Sequence, residues 1–112
     1  MESVINVQAA LENLGGDHDL LRELAEMMLP DLDDYRSTLQ LALDSENLTA
    51  IYEQAHSLKG AVSNFVAEPL REAALRLEIA GKSNDINAAR LALPDVLEAI
   101  SAFQAALQEL LS

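Results

Sequence analysis

Residues 48–67 read Leu-Thr-Ala-Ile-Tyr-Glu-Gln-Ala-His-Ser-Leu-Lys-Gly-Ala-Val-Ser-Asn-Phe-Val-Ala. Leu48, Ile51, Ala55, Leu58, Val62 and Phe65 recur in it at helical steps of three and four residues, which puts them on one stripe of an α-helix. That stripe is a core face. His56 lies well over a quarter-turn from its middle, so the imidazole belongs at the edge of the buried surface or in solvent. On the same outer side stand Tyr52 one turn before it, Lys59 and Gly60 one turn after, and Ser63 two turns after.

Working outward, Glu68-Pro69 interrupts the pattern after Ala67. Proline suits a first helical position, so a new helix opens there and runs to Gly81. Upstream, Asp17 offers an N-cap for a helix whose apolar face is Leu20, Leu21, Leu24, Met27, Met28, Leu32, Leu39 and Leu43. Downstream, Leu91, Leu97, Ile100, Phe103, Leu107, Leu110 and Leu111 mark a last helix. The prolines Pro30 and Pro94 are expected to kink the helices that contain them. The predicted helices cover 17–43, 47–67, 69–81 and 85–111, after a short segment at 4–14 that stops at Gly15-Gly16. Short links between long amphipathic helices imply antiparallel neighbours. The expected fold is therefore all-α: one domain over 1–112, an antiparallel four-helix bundle with a short additional N-terminal helix.

Composition agrees. Ala and Leu together supply 39 of the 112 residues and Val and Ile only 10, a mixture that favours helix over sheet. With no cysteine there is neither a disulfide framework nor a thiolate metal site. No apolar run approaches the roughly 18 residues of a membrane span. The start, Met1-Glu2-Ser3-Val4, lacks the basic and apolar blocks of a secretory signal, so the chain is expected in the cytoplasm. A formal charge of −12 disfavours nucleic acid. His18 sits between Asp17 and Asp19, but adjacent helical residues diverge, and capping accounts for them better than a metal does.

Gly60 invites two readings. A glycine inside a helix costs roughly 1 kcal/mol relative to alanine. Either it permits close packing of two helices, or it keeps a bare patch beside His56, widened by Ser63 and Ala67, for another protein to bring a reacting group. Hairpin geometry adds a second signal. If the turn between the two helices lies at residue 67, Glu78 stands level with His56, and Ser63 faces Arg71. Arg71, Leu75, Glu78 and Lys82 then share a face that joins the histidine's, while Leu70, Ala74 and Leu77 form the core stripe. From His56 to Lys82 four cations meet three carboxylates, a local balance of +1 in a chain of −12, so phosphate is least repelled here.

The run Ala55-His56-Ser57-Leu58-Lys59-Gly60, with Leu70 and Leu77-Glu78 further on, resembles the histidine-containing phosphotransfer (HPt) domain of bacterial multistep phosphorelays. The resemblance implies a bundle whose exposed histidine accepts a phosphoryl group from a receiver-domain aspartate and passes it to another. His56 matches the phosphorylated residue, Lys59 the adjacent lysine, which would reduce repulsion by the phosphoryl group, and Gly60 the small residue that makes room. Glu78 matches a position able to hydrogen-bond and orient the imidazole. Gly60, Ser63, Ala67, Arg71, Leu75 and Lys82 are expected to form the receiver-docking or phosphate environment. Such domains usually carry glycine where this chain has Val66, a departure expected to alter the end of that helix more than the nucleophile.

An ordinary imidazole, with a pKa of about 6.5, is mostly neutral near neutral pH and needs no strong base to act as a nucleophile. Neither a metal cage nor a Gly-rich nucleotide loop is visible, so no cofactor is expected and Mg2+ would reside on the receiver. The expected role is that of a phosphoryl carrier, not a kinase. Receiver domains, with a hybrid histidine kinase among the donors, are its expected partners, and a monomer its expected state. The phosphoryl-accepting domain of a chemotaxis-type kinase and a silent helical adaptor are the competing readings.

Overall fold

A computed structural model describes residues 4–112. The expectation about a secretory signal falls mainly on Met1, Glu2 and Ser3, which lie outside the described residues. The elements are α1 (Val7–Asn13), α2 (His18–Asp44), α3 (Leu48–Ala61), a 3-10 turn (Ser63–Phe65), α4 (Glu68–Lys82) and α5 (Ile86–Leu111). The long helices α2 to α5 close a bundle in which α3 packs on α2 and α4, and α5 packs on the other side of both. Short α1 sits across one end, against the 3-10 turn and α2. Among the described residues there is no strand, and no helix is long and apolar enough to cross a membrane.

Four helix starts follow one rule. Asn6, Asp17, Asn47 and Asp85 each accept, through the side chain, the amide N–H three residues on at 3.0 Å, satisfying a donor the helix cannot. The ends are equally regular. Gly15, Glu46 and Asn84 take left-handed φ values of 67°, 53° and 55°, and the next amide returns to the carbonyl five residues back (Gly16 to Leu11, Asn47 to Ala42, Asp85 to Ala80). At the end of α5, Arg22 donates to the carbonyls of Leu110 and Leu111 at 3.2 and 3.1 Å, placing positive charge at the negative helix terminus. Both α2 and α5 run unbroken through their prolines, Pro30 and Pro94.

Two predicted boundaries are corrected. The pattern over 47–67 reads as one helix, but α3 ends at Ala61 and a 3-10 turn follows. Ser63 Oγ donates to the Gly60 carbonyl at 2.7 Å, competing with the helical ladder, and Val66 reverses the chain at φ 50°, ψ 52°. Phe65 nonetheless stays on the core, edge-on to Phe103 with ring centroids 5.4 Å apart. The second correction concerns Gly81, which does not stop α4; the helix continues to Lys82 and Asn84 takes the left-handed turn.

The core stripe is also narrower than the large apolar residues suggest. On α2 it runs through Leu21, Ala25, Met28, Leu32, Leu39 and Ala42, leaving Leu20 and Met27 exposed. On α5, Ala89, Leu93 and Val96 are buried while Leu91 faces solvent. Alanines such as Ala25, Ala42 and Ala89 share the stripe with larger residues, while Leu20, Met27 and Leu91 fall beside it.

Candidate functional site

The site lies where α3 and α4 run side by side. His56 is in the middle of α3 with its side chain 63% exposed, whereas Glu78, opposite it on α4, is buried. Their side chains meet: His56 Nδ1 is 2.7 Å from Glu78 Oε1. The other carboxylate oxygen, Oε2, is closed to solvent and lies 2.7 Å from Lys59 Nζ, an ion pair more than an aligned hydrogen bond. Among the described residues Glu78 is the only buried charged side chain. A buried carboxylate is costly unless paired, and here it is paired twice.

Burial pushes the Glu78 carboxyl up, but Lys59 and then His56 outweigh it and hold the group below its ordinary value. Glu78 is thus ionised near neutral pH. An ionised carboxylate only accepts hydrogen bonds, so Nδ1 of His56 carries the proton and donates. In the neutral ring the lone pair is then on Nε2, at the edge turned away from α4.

Gly60 now distinguishes its two readings. A Cβ built there meets nothing within 4 Å, so helix packing does not require the glycine and the surface beside His56 is bare. Close packing is instead the role of Gly81, where a Cβ would lie 2.8 Å from the Tyr52 amide nitrogen and 3.0 Å from the Leu48 carbonyl oxygen. The sequence pattern missed this, although the same hairpin reckoning puts Gly81 level with Glu53, the neighbour of Tyr52. Tyr52 also stacks on His56, with ring centroids 6.0 Å apart and planes 19° from parallel.

The remaining predicted site residues divide. Lys82 is exposed and Leu75 half-buried on α4. Ser63 and Arg71 are engaged locally, with the Gly60 carbonyl and with Glu68 Oε2 at 3.1 Å. Ala67 does not widen the clearing: it is 2% exposed, packed in the core at the start of α4, because the chain turns inward at Val66. Glu78 is level with His56 as predicted, but is buried where an outward face was expected. On the α2 side, Tyr35 Oη and Ser57 Oγ are 2.7 Å apart, a contact with no signal in helical periodicity. No three His, Cys, Asp or Glu residues among those described gather closely enough to hold a metal ion.

Comparison with known proteins gives a consistent result. The sequence family described as the Hpt domain matches residues 23–112. Among solved structures, histidine-containing phosphotransfer protein B (HptB) from Pseudomonas aeruginosa PAO1 superposes with a TM-score of 0.87 at 17% identity, covering 97% of this chain and 95% of that one. The HPT domain of a sensor hybrid histidine kinase from Shewanella gives 0.86 at 18% identity, with 96% and 93% covered. At these identities the two structures establish the fold. No curated protein matches the chain.

Proposed function

This chain belongs to the Hpt domain family and serves histidine phosphotransfer in two-component phosphorelays, and we propose that its phosphoryl acceptor is His56, loaded by a receiver domain's aspartyl phosphate and unloaded onto the aspartate of another. Support comes above all from one arrangement: an exposed imidazole whose inner nitrogen is clamped by a buried, ionised carboxylate 2.7 Å away.

The reaction balances without a base. The Nε2 lone pair attacks phosphorus in line, the N–P bond forms as the bond to the acyl oxygen breaks, and the receiver's aspartate leaves as a carboxylate. The Nδ1 proton stays where it is, so the phosphorylated ring carries a positive charge. Glu78 faces that charge at hydrogen-bond distance and stabilises it more than it stabilises the neutral ring. Reverse attack by a second aspartate restores the neutral imidazole.

Lys59 keeps Glu78 ionised and puts a cation one turn from the acceptor, where it offsets the charge of the transferring group. Gly60 leaves the approach open, and Ser63, Arg71, Leu75 and Lys82 lie on the face offered to the receiver. The chain acts as a carrier, as a monomer in the cytoplasm, with Mg2+ held by the receiver and no nucleotide site of its own.

The test is to incubate wild type and His56→Gln with several phosphorylated receivers and assay acid-labile label. Label is expected on the wild type alone. Label on His56→Gln would place the acceptor elsewhere.

A further inference from the structure

Nothing in the transfer step above uses Tyr52, yet its ring lies against the acceptor. The attacking lone pair lies in the imidazole plane, so the direction of that plane sets the line along which phosphorus must approach. One hydrogen bond from Nδ1 to Glu78 Oε1 fixes a single edge of the ring and leaves it free to swing about that contact. A second restraint is needed to fix the plane.

Tyr52 is placed to supply it. Its ring is stacked one turn N-terminal to His56, 6.0 Å between centroids and 19° from parallel, within the range of favourable aromatic pairs. Its backbone is held too, because Gly81 lets α4 approach so closely that a Cβ there would stand 2.8 Å from the Tyr52 amide nitrogen. Helical side chains lean toward the N-terminus, which carries the imidazole toward Tyr52 and away from Gly60. One turn C-terminal, Gly60 presents no side chain and open space. The ring is therefore walled on one side and bare on the other.

We propose that Tyr52 is a positioning residue for phosphotransfer: its ring face fixes the plane of the His56 imidazole, so that Nε2 meets a receiver-held phosphoryl group along one line, entering from the Gly60 side. This rests on His56 being the acceptor.

A protein donor cannot reorient once docked, whereas a small donor can, and the test uses that difference. Tyr52→Leu and Tyr52→Phe are compared with wild type using two donors: phosphoramidate, and receiver domains charged with acetyl phosphate. Long-range 1H–15N correlation spectra report the imidazole tautomer. For Tyr52→Leu, receiver transfer is expected to slow about tenfold, while phosphoramidate labelling changes less than about twofold and the Nδ1–H tautomer persists. Tyr52→Phe, which keeps the ring face, is expected to restore receiver transfer. Wild-type rates from receivers in Tyr52→Leu, or a Phe variant as slow as the Leu variant, would overturn the positioning role. Wild type that phosphoramidate labels elsewhere than His56, or that no receiver labels, would instead overturn the acceptor assignment beneath it.

Discussion

His56 Nδ1 and Glu78 Oε1 stand 2.7 Å apart, joined across a helical hairpin by residues 22 positions apart in the chain. One member is mostly solvent-exposed and the other buried, so the contact works as a handle: the protein interior grips one nitrogen and presents the other. Removing the grip in Glu78→Ala is expected to let the ring populate both tautomers and to slow transfer from receivers by about tenfold to a hundredfold. It also leaves the half-buried Lys59 without its partner, at a cost of about 1–2 kcal/mol. Imidazole 15N shifts and denaturant titrations read the two effects separately. A single Nδ1–H tautomer in the variant would show that something else holds the ring.

Glu78 also predicts how stability responds to acid. Its folded-state pKa is lowered from an ordinary value near 4.5, so in the window between the two values the unfolded chain binds more protons than the folded one. Stability then rises with pH across that window. The contribution is fully present above about 4.5 and is lost as pH falls through the lower, folded value. Wild type and Glu78→Gln should therefore differ in denaturation midpoint near neutral pH and converge in strong acid. A gap that stays constant as the solution is acidified would mean that the carboxyl titrates alike in both states.

How much of this was legible in the sequence depended on the length scale of each signal. The core stripe of α3 and the cap at Asp17 are local patterns, and they are where the sequence places them. The pairing of His56 with Glu78 was reachable because a hairpin turns register into simple counting. Periodicity alone could not show that Glu78 is buried, since Lys59 and His56 offset the cost of burying it from a different helix. Gly81 looked like a stop signal because glycine has two uses, and its actual one depends on how near α3 comes. Ala67 was misplaced because the chain leaves the helical path before reaching it.

The two glycines of the hairpin make opposite predictions. At Gly60 an added Cβ meets no atom within 4 Å, so Gly60→Ala should gain most of the roughly 0.5–1 kcal/mol by which alanine exceeds glycine in a helix. The same methyl stands in the clearing beside His56, and receiver transfer should fall severalfold while phosphoramidate labelling holds. Thermal melts and transfer rates are thus expected to move in opposite directions. Greater stability with undiminished receiver transfer would remove Gly60 from the docking surface.

Gly81→Ala should do the reverse. Its Cβ would lie 2.8 Å from backbone nitrogen and 3.0 Å from backbone oxygen of α3, atoms that cannot step aside as a flexible side chain does. The helices must separate, at a cost of about 1–3 kcal/mol, which exceeds the gain in helix propensity. Parting α3 from α4 also stretches the His56–Glu78 contact, so the variant should be both less stable and slower. A stable Gly81→Ala with wild-type transfer would mean that the two helices approach less closely at this level.

Val66 yields a prediction that inverts an ordinary ranking. It is a β-branched residue at φ 50°, ψ 52°, a conformation that costs an L-residue with a Cβ about 1–2 kcal/mol and glycine almost nothing. Its carbonyl also accepts the Asn6 amide at 3.3 Å, so the end of the 3-10 turn and the start of α1 share this strained turn. Val66→Ala and Val66→Gly lose similar packing, but only glycine escapes the backbone penalty. The glycine variant should therefore be the more stable of the two by about 1 kcal/mol, although alanine outranks glycine at most helical positions. Denaturant midpoints of the pair decide it, and a more stable alanine variant would show that residue 66 does not hold the left-handed turn. Because Val66 lies beyond the end of α3, in a turn that makes no contact with the His56–Glu78–Lys59 cluster through side-chain hydrogen bonds or ion pairs, both variants should accept phosphoryl groups at the wild-type rate. Relief of strain at the turn would then appear in stability alone, separating what holds the hairpin's end from what aims its histidine.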